Sequence, residues 1–135
     1  MMKKFFCFLV CSLLLFSCEK ERADGLWDPM EWDADVTYIE DKEIEVPKNG
    51  GTYTFVCKNY QYFWLSSLRE GDEYIEKDST SLYAEGSWTS VKIQENVMTI
   101  VISSNESNQS RSVTVMPTAG DIFDYITFNQ KGVGD

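Results

Sequence analysis

SWTSVKIQENVMTIVISSNESNQSRSVTVMPTAGDIFDYITFNQKG, residues 87–132, decides the fold. Apolar residues recur at every second position, at Met98, Ile100 and Ile102, then at Val113 and Val115, then at Ile126 and Phe128, with Thr and Ser largely between them. Period two is the pleat of a β-strand, and no helical period competes with it. Polar turns separate the runs, so the stretch reads as the closing half of a β-sandwich. Strand parity turns Trp88, Ile100 and Val113 towards one core.

Working outward, Ser87–Ile93 and Val97–Ser103 flank the short turn Gln94-Glu95-Asn96 and read as a hairpin. Upstream, Val36–Glu40 and Glu43–Val46 are short alternating runs. Ile44 and Val46 face one way, and Glu43 and Glu45 the other. The two carboxylates stand about 7 Å apart, within the glycosidase range, but with nothing else to suggest a pocket they read as the solvated face of an edge strand. Pro47-Lys48-Asn49-Gly50-Gly51 then forms a turn from which Thr52–Lys58 returns as a hairpin, with Tyr53, Phe55 and Cys57 on one face. Tyr60–Leu65, YQYFWL, continues as a strand carrying Tyr60, Tyr62 and Trp64 on one side and Phe63 and Leu65 on the other. Asp72–Asp78 is a charged edge strand, of a kind that discourages edge-to-edge pairing.

The first residues have a separate purpose. Lys3 and Lys4 precede an apolar run from Phe5 to Phe16, too short for the ~20 residues a spanning helix needs, so residues 1–17 read as an export signal. Leu15-Phe16-Ser17-Cys18 resembles a bacterial lipobox, which makes Cys18 the lipidated first residue of the mature chain. An anchor with more than one acyl chain gives stable membrane attachment. Removing Lys3 and Lys4 leaves 10 of the 12 basic residues against 22 acidic ones. So acidic a chain lacks the footprint of a nucleic-acid binder and is repelled by anionic lipid. Of the four cysteines, Cys7 and Cys11 leave with the signal and Cys18 carries lipid, so Cys57 is alone and reads as a small buried hydrophobe.

Residues 18–35 form an acidic tether, and residues 36–132 the sandwich domain, with a short tail at 133–135. Acidic residues directly after Cys18 resemble the surface-export signals of Bacteroidetes lipoproteins, which puts the protein on the outer membrane, facing outward. Trp27, Met30 and Trp32 are an unusual load for a spacer. Trp27 and Trp32 either strap back onto the domain or bind a partner. Asp78-Ser79-Thr80 resembles the O-glycosylation site of the same bacteria, with Ser79 as acceptor.

Taken together, the Gly50-Gly51 turn, Trp64, Trp88, the run ending at Ile102, Asn105 with Arg111, and the closing Asn129-Gln130-Lys131-Gly132 resemble a BACON domain, the Bacteroidetes-associated carbohydrate-binding module. The resemblance spans residues 36–132. It implies an immunoglobulin-like β-sandwich, which the strand count supports independently. It also implies a core position for Trp88, and a turn between the last two hairpin strands bracketed by Asn105 and Arg111. The family is not catalytic and offers no fixed ligand set.

Two functional classes follow. The first is a non-catalytic, lipid-anchored surface module that binds glycan or a glycan-coated partner, with Tyr60, Tyr62 and Trp64 as a stacking platform unless those rings fill a core. The second is an accessory envelope lipoprotein that binds protein through Trp27 and Trp32 and binds no sugar. With no His, no paired Cys and no phosphate loop, neither metal, cofactor nor general-base chemistry has its usual parts, and no catalytic residue is assigned.

Overall fold

The computed structural model describes residues 27–134, so the export signal and Cys18 lie outside the described residues. The alternation of the deciding stretch becomes burial, since Met98, Ile100, Ile102, Val113, Val115, Ile126 and Phe128 all sit in the core.

The described strands fall into two sheets. One is antiparallel and contains β1 (Trp32–Ala34), β4 (Gly51–Cys57), β9 (Val97–Ile102), β8 (Thr89–Gln94) and β7 (Tyr83–Glu85), in that spatial order. The other runs β2 (Tyr38–Glu40), β3 (Glu43–Val46), β12 (Ile126–Gln130), β10 (Arg111–Ala119), β5 (Trp64–Glu70) and β6 (Glu73–Ile75), with β11 (Ile122–Phe123) paired to β10. Pairing is antiparallel except between β12 and β3, where Thr127–Gln130 align in parallel with Glu43–Val46. Inward residues of the two sheets meet face to face. Phe55 and Phe128 pack edge to face with centroids 6.1 Å apart, and Tyr53 tilts against Phe128 at 5.2 Å. Such geometries suit the ring quadrupoles. The molecule is an all-β, immunoglobulin-like sandwich.

Three expectations are corrected. Residues 43–46 and 52–58 do not form a hairpin, because β3 pairs with β2 and β12 while β4 pairs with β1 and β9. The Pro47–Gly51 turn carries the chain from one sheet to the other, with Gly50 at φ +79° and a Cβ there overlapping the Ile102 carbonyl. The segment Asn105–Arg111 likewise crosses between sheets rather than joining hairpin strands. Finally, the folded unit begins before residue 36. Strand β1 adds Trp32–Ala34 to the edge of β4, and Met30 is buried. Two apolar anchors, Met30 and Trp32, outweigh the charges around them.

Candidate functional site

Strands run between two ends of the sandwich, and the ends have different chemistry. At one end β4 stops at Cys57 and β5 starts at Trp64, so residues 58–63 cross the top of the core. Tyr60–Phe63 are therefore loop and not the strand expected there. The parity still holds where it matters. Phe63 and Leu65 are buried, while Tyr62 is 60% and Trp64 45% exposed. Beside Trp64 lies an open groove of about 420 Å³, walled by Ser66, Lys77, Thr80, Ser81 and Thr118. Lys77 Nζ donates to the Leu65 and Ser66 carbonyls at 3.0 and 2.9 Å, which fixes the ammonium against the groove floor.

Tyr60 does not join this pair. It is half-buried against the core, and its hydroxyl donates to the Asp28 carbonyl at 2.5 Å. Asn59 works with it. Its amide donates to the Pro29 carbonyl at 2.8 Å, and its carbonyl accepts the Glu31 amide at 2.9 Å. Together they clamp the N-terminal strap. The strap's Trp32 packs edge-on against Phe63 and Phe55 at 5.2 and 6.0 Å, and its indole N–H donates to Asp124 at 2.7 Å. Both the apolar face and the polar tip of this ring have partners within the domain, so Trp32 is corrected from a partner-binding candidate to a structural one. Trp27, 59% exposed, keeps its candidacy.

Asp124 is buried, yet its carboxylate is well supplied with donors. Lys42 forms an ion pair with it, and the Tyr125 amide donates at 2.8 Å. Tyr38 lies close enough that burial first, and the Asp124 charge second, push its phenol pKa up. Ser79 is exposed on a turn held by its neighbour. The Asp78 carboxylate accepts the Thr80 hydroxyl at 2.7 Å and the Leu82 and Tyr83 amides at 3.1 and 3.3 Å. Asp78-Ser79-Thr80 thus has a local structural use, whatever Ser79 carries.

The opposite end collects the residues behind the family resemblance other than Trp64. Gln130 is buried, and its Nε2 donates to the carbonyls of Pro47, Lys48 and Ser103 at 3.1, 3.2 and 2.9 Å. Its Oε1 accepts Arg111 Nε at 2.8 Å. The guanidinium also donates to the Ser103 and Ser104 carbonyls and stacks 4.0 Å from the Trp88 ring centroid. Trp88 accordingly holds the core position expected of it only in part, half-buried, packed against the core on one side and roofed by Arg111. Asn105 is buried with both donors and both acceptor positions engaged, on Gln109, Lys131 and Ser107. This is a polar lock tying three loops. A larger depression, about 540 Å³, lies here between Glu45, Pro47, Lys48 and Lys131, but no aromatic ring lines it. Glu45 is ion-paired with Lys131 at 2.8 Å.

Phe123 and Thr118 escaped the sequence reading. Ala119-Gly120-Asp121-Ile122 was the available signal, a two-residue loop led by glycine, with Gly120 at φ +61° and Ala119 opposite Ile122. Recognising that hairpin puts Phe123 opposite Thr118 and so on the outer face.

Two packed sheets, with Tyr62 and Trp64 exposed at one end, define the class, an all-β sandwich. No family model matches the chain, and no curated protein matches it. A solved NMR structure of a protein from Bacteroides thetaiotaomicron does, at 39% identity, covering 88% of this chain and 100% of its own, with a TM-score of 0.75. The chain belongs to the family of that protein.

Proposed function

We propose that the protein is a non-catalytic glycan-binding module, held at the outer membrane by lipid on Cys18 and displayed on the cell surface. The observation that carries this reading is the split at residues 62–65, where Phe63 and Leu65 serve the core while Tyr62 and Trp64 present their rings to solvent. Sugars stack their C–H faces on such rings, and the hydroxyls of Ser66 and Ser81 in the groove supply hydrogen bonds to sugar oxygens. The resemblance to BACON domains supports it. Exposed Trp27 favours a second reading, in which the strap end docks on an envelope protein and no sugar is bound.

The test measures unfolding midpoint and polysaccharide retention of Tyr62→Ala and Trp64→Ala on the same samples. Lost retention at an unchanged midpoint is the expected result. Unaltered retention in both variants, or a wild-type chain retained by no polysaccharide, overturns the reading and leaves the protein-docking alternative. Cys18→Ala should in parallel lose incorporation of labelled palmitate.

A further inference from the structure

The exposed rings continue across the sheet rather than along one strand. Trp64 on β5 is the register partner of Thr118 on β10, and Thr118 is in turn the partner of Phe123 on β11. Directly opposed residues of antiparallel strands project to the same face. The neighbouring pairs confirm which face, because Leu65 and Pro117, the next partners along, point inward. Trp64 and Phe123 therefore stand outward in one row, two strand spacings or about 10 Å apart, with only the small Thr118 between them. Phe123 is 52% exposed, and Tyr125 beside it is exposed as well. The Thr118 hydroxyl donates back to the Gly120 and Ile122 carbonyls at 2.8 and 2.9 Å, which pins the β10–β11 hairpin and so the position of Phe123.

Resting on the glycan reading above, we infer that the ligand is an extended, neutral oligosaccharide lying across the strands, with one sugar on Trp64 and a later one on Phe123. A chain, not a single terminal sugar, is needed to touch both rings across that gap. Neutrality follows from charge. The chain is net −10. The groove sets a single cation against this, Lys77, held on two backbone carbonyls. A polyanionic glycan would thus meet the repulsion of a strongly acidic molecule, with one ammonium in the groove to offset a charge on every sugar unit.

The experiment uses the whole chain in detergent and titrates xylo-, cello- and manno-oligosaccharides of two and six units calorimetrically, with polygalacturonate as the charged control. At least one neutral series should bind more tightly at six units than at two. Phe123→Ala should then lose about tenfold on the six-unit chain and less than about twofold on the disaccharide, while Trp64→Ala loses both. Phe123→Tyr, which keeps a ring, should retain the gain with length, separating ring stacking from any effect on folding. Sugar binding with the same length dependence in Phe123→Ala, or preference for polygalacturonate, overturns this inference and spares the glycan reading. No binding in any series overturns both.

Discussion

Thr89 shows how finely this sandwich is fitted at the level of single atoms. The residue is buried, its amide donates to Glu70 Oε1 at 3.0 Å, and its hydroxyl has no partner among the described residues. A buried hydroxyl without a partner costs about 1–3 kcal/mol in desolvation. Thr89→Val keeps the shape and removes that cost, so it should leave stability unchanged or raise it by about 1 kcal/mol, read as the midpoint of urea unfolding. A clear loss would mean that the hydroxyl has a partner. Glu70 is a different case, a buried carboxylate that accepts three successive amides, from Ser87, Trp88 and Thr89. Gly86 is required beside it, because a Cβ there would overlap the carboxylate. Asp78 gives a pH dependence. The Thr80 hydroxyl above all holds its pKa below the ordinary carboxylate value; desolvation opposes it, and the Leu82, Tyr83 and Thr80 amides add smaller downward contributions. A pKa depressed by folding contributes stability above the unfolded-state value and loses it as pH falls through the folded one. The stability difference between wild type and Asp78→Ala should therefore be constant at neutral pH and shrink only at acid pH, below the ordinary carboxylate range. A difference that persisted there would assign the effect to packing.

At the scale of elements, the N-terminal strap is the part whose removal should be felt most. It adds β1 to the β4 edge, buries Met30, and covers Phe55 and Phe63 with Trp32. Trp32→Ala removes that cover and leaves Asp124 without one of its donors. The expected loss is about 3 kcal/mol, at the low end for large-to-small aromatic changes because the ring is only half-buried. Chemical denaturation checks it, and a shift within error would mean the strap is detachable. The strap also orients the molecule. It enters at the end where Tyr62 and Trp64 are exposed, while β12 leads the chain out at the end of the polar lock. The β10–β11 hairpin, short as it is, governs whether Phe123 joins the aromatic row.

For the whole molecule, the two ends assign separate tasks to similar-looking residues. Gln130→Leu unties three carbonyls and Arg111 at the lock, leaving buried acceptors unsatisfied, and should cost about 2–4 kcal/mol while polysaccharide retention stays as in the wild type. Tyr62→Ala should do the reverse. If both variants lost retention in proportion to stability, the ends would not be independent. Legibility in the sequence divides along a physical line. Period-two burial at Met98–Ile102, Val113–Val115 and Ile126–Phe128, and the alternation that separates Tyr62 and Trp64 from Phe63 and Leu65, were determined by the sequence alone, because relative side-chain direction in an extended chain depends only on neighbouring residues, whereas which of those two sides faces solvent was not. Which strands pair was so determined for the β8–β9 hairpin, whose short turn leaves one partner within reach, and not for strands distant in sequence. That β3 joins β12 in parallel, that the Gly50 turn crosses between sheets, that Trp32 belongs to the core, and that Phe123 lines up with Trp64 through Thr118 are contacts between residues far apart in the chain. Such contacts are selected by the packing of the whole sandwich, and only the tertiary structure decided them.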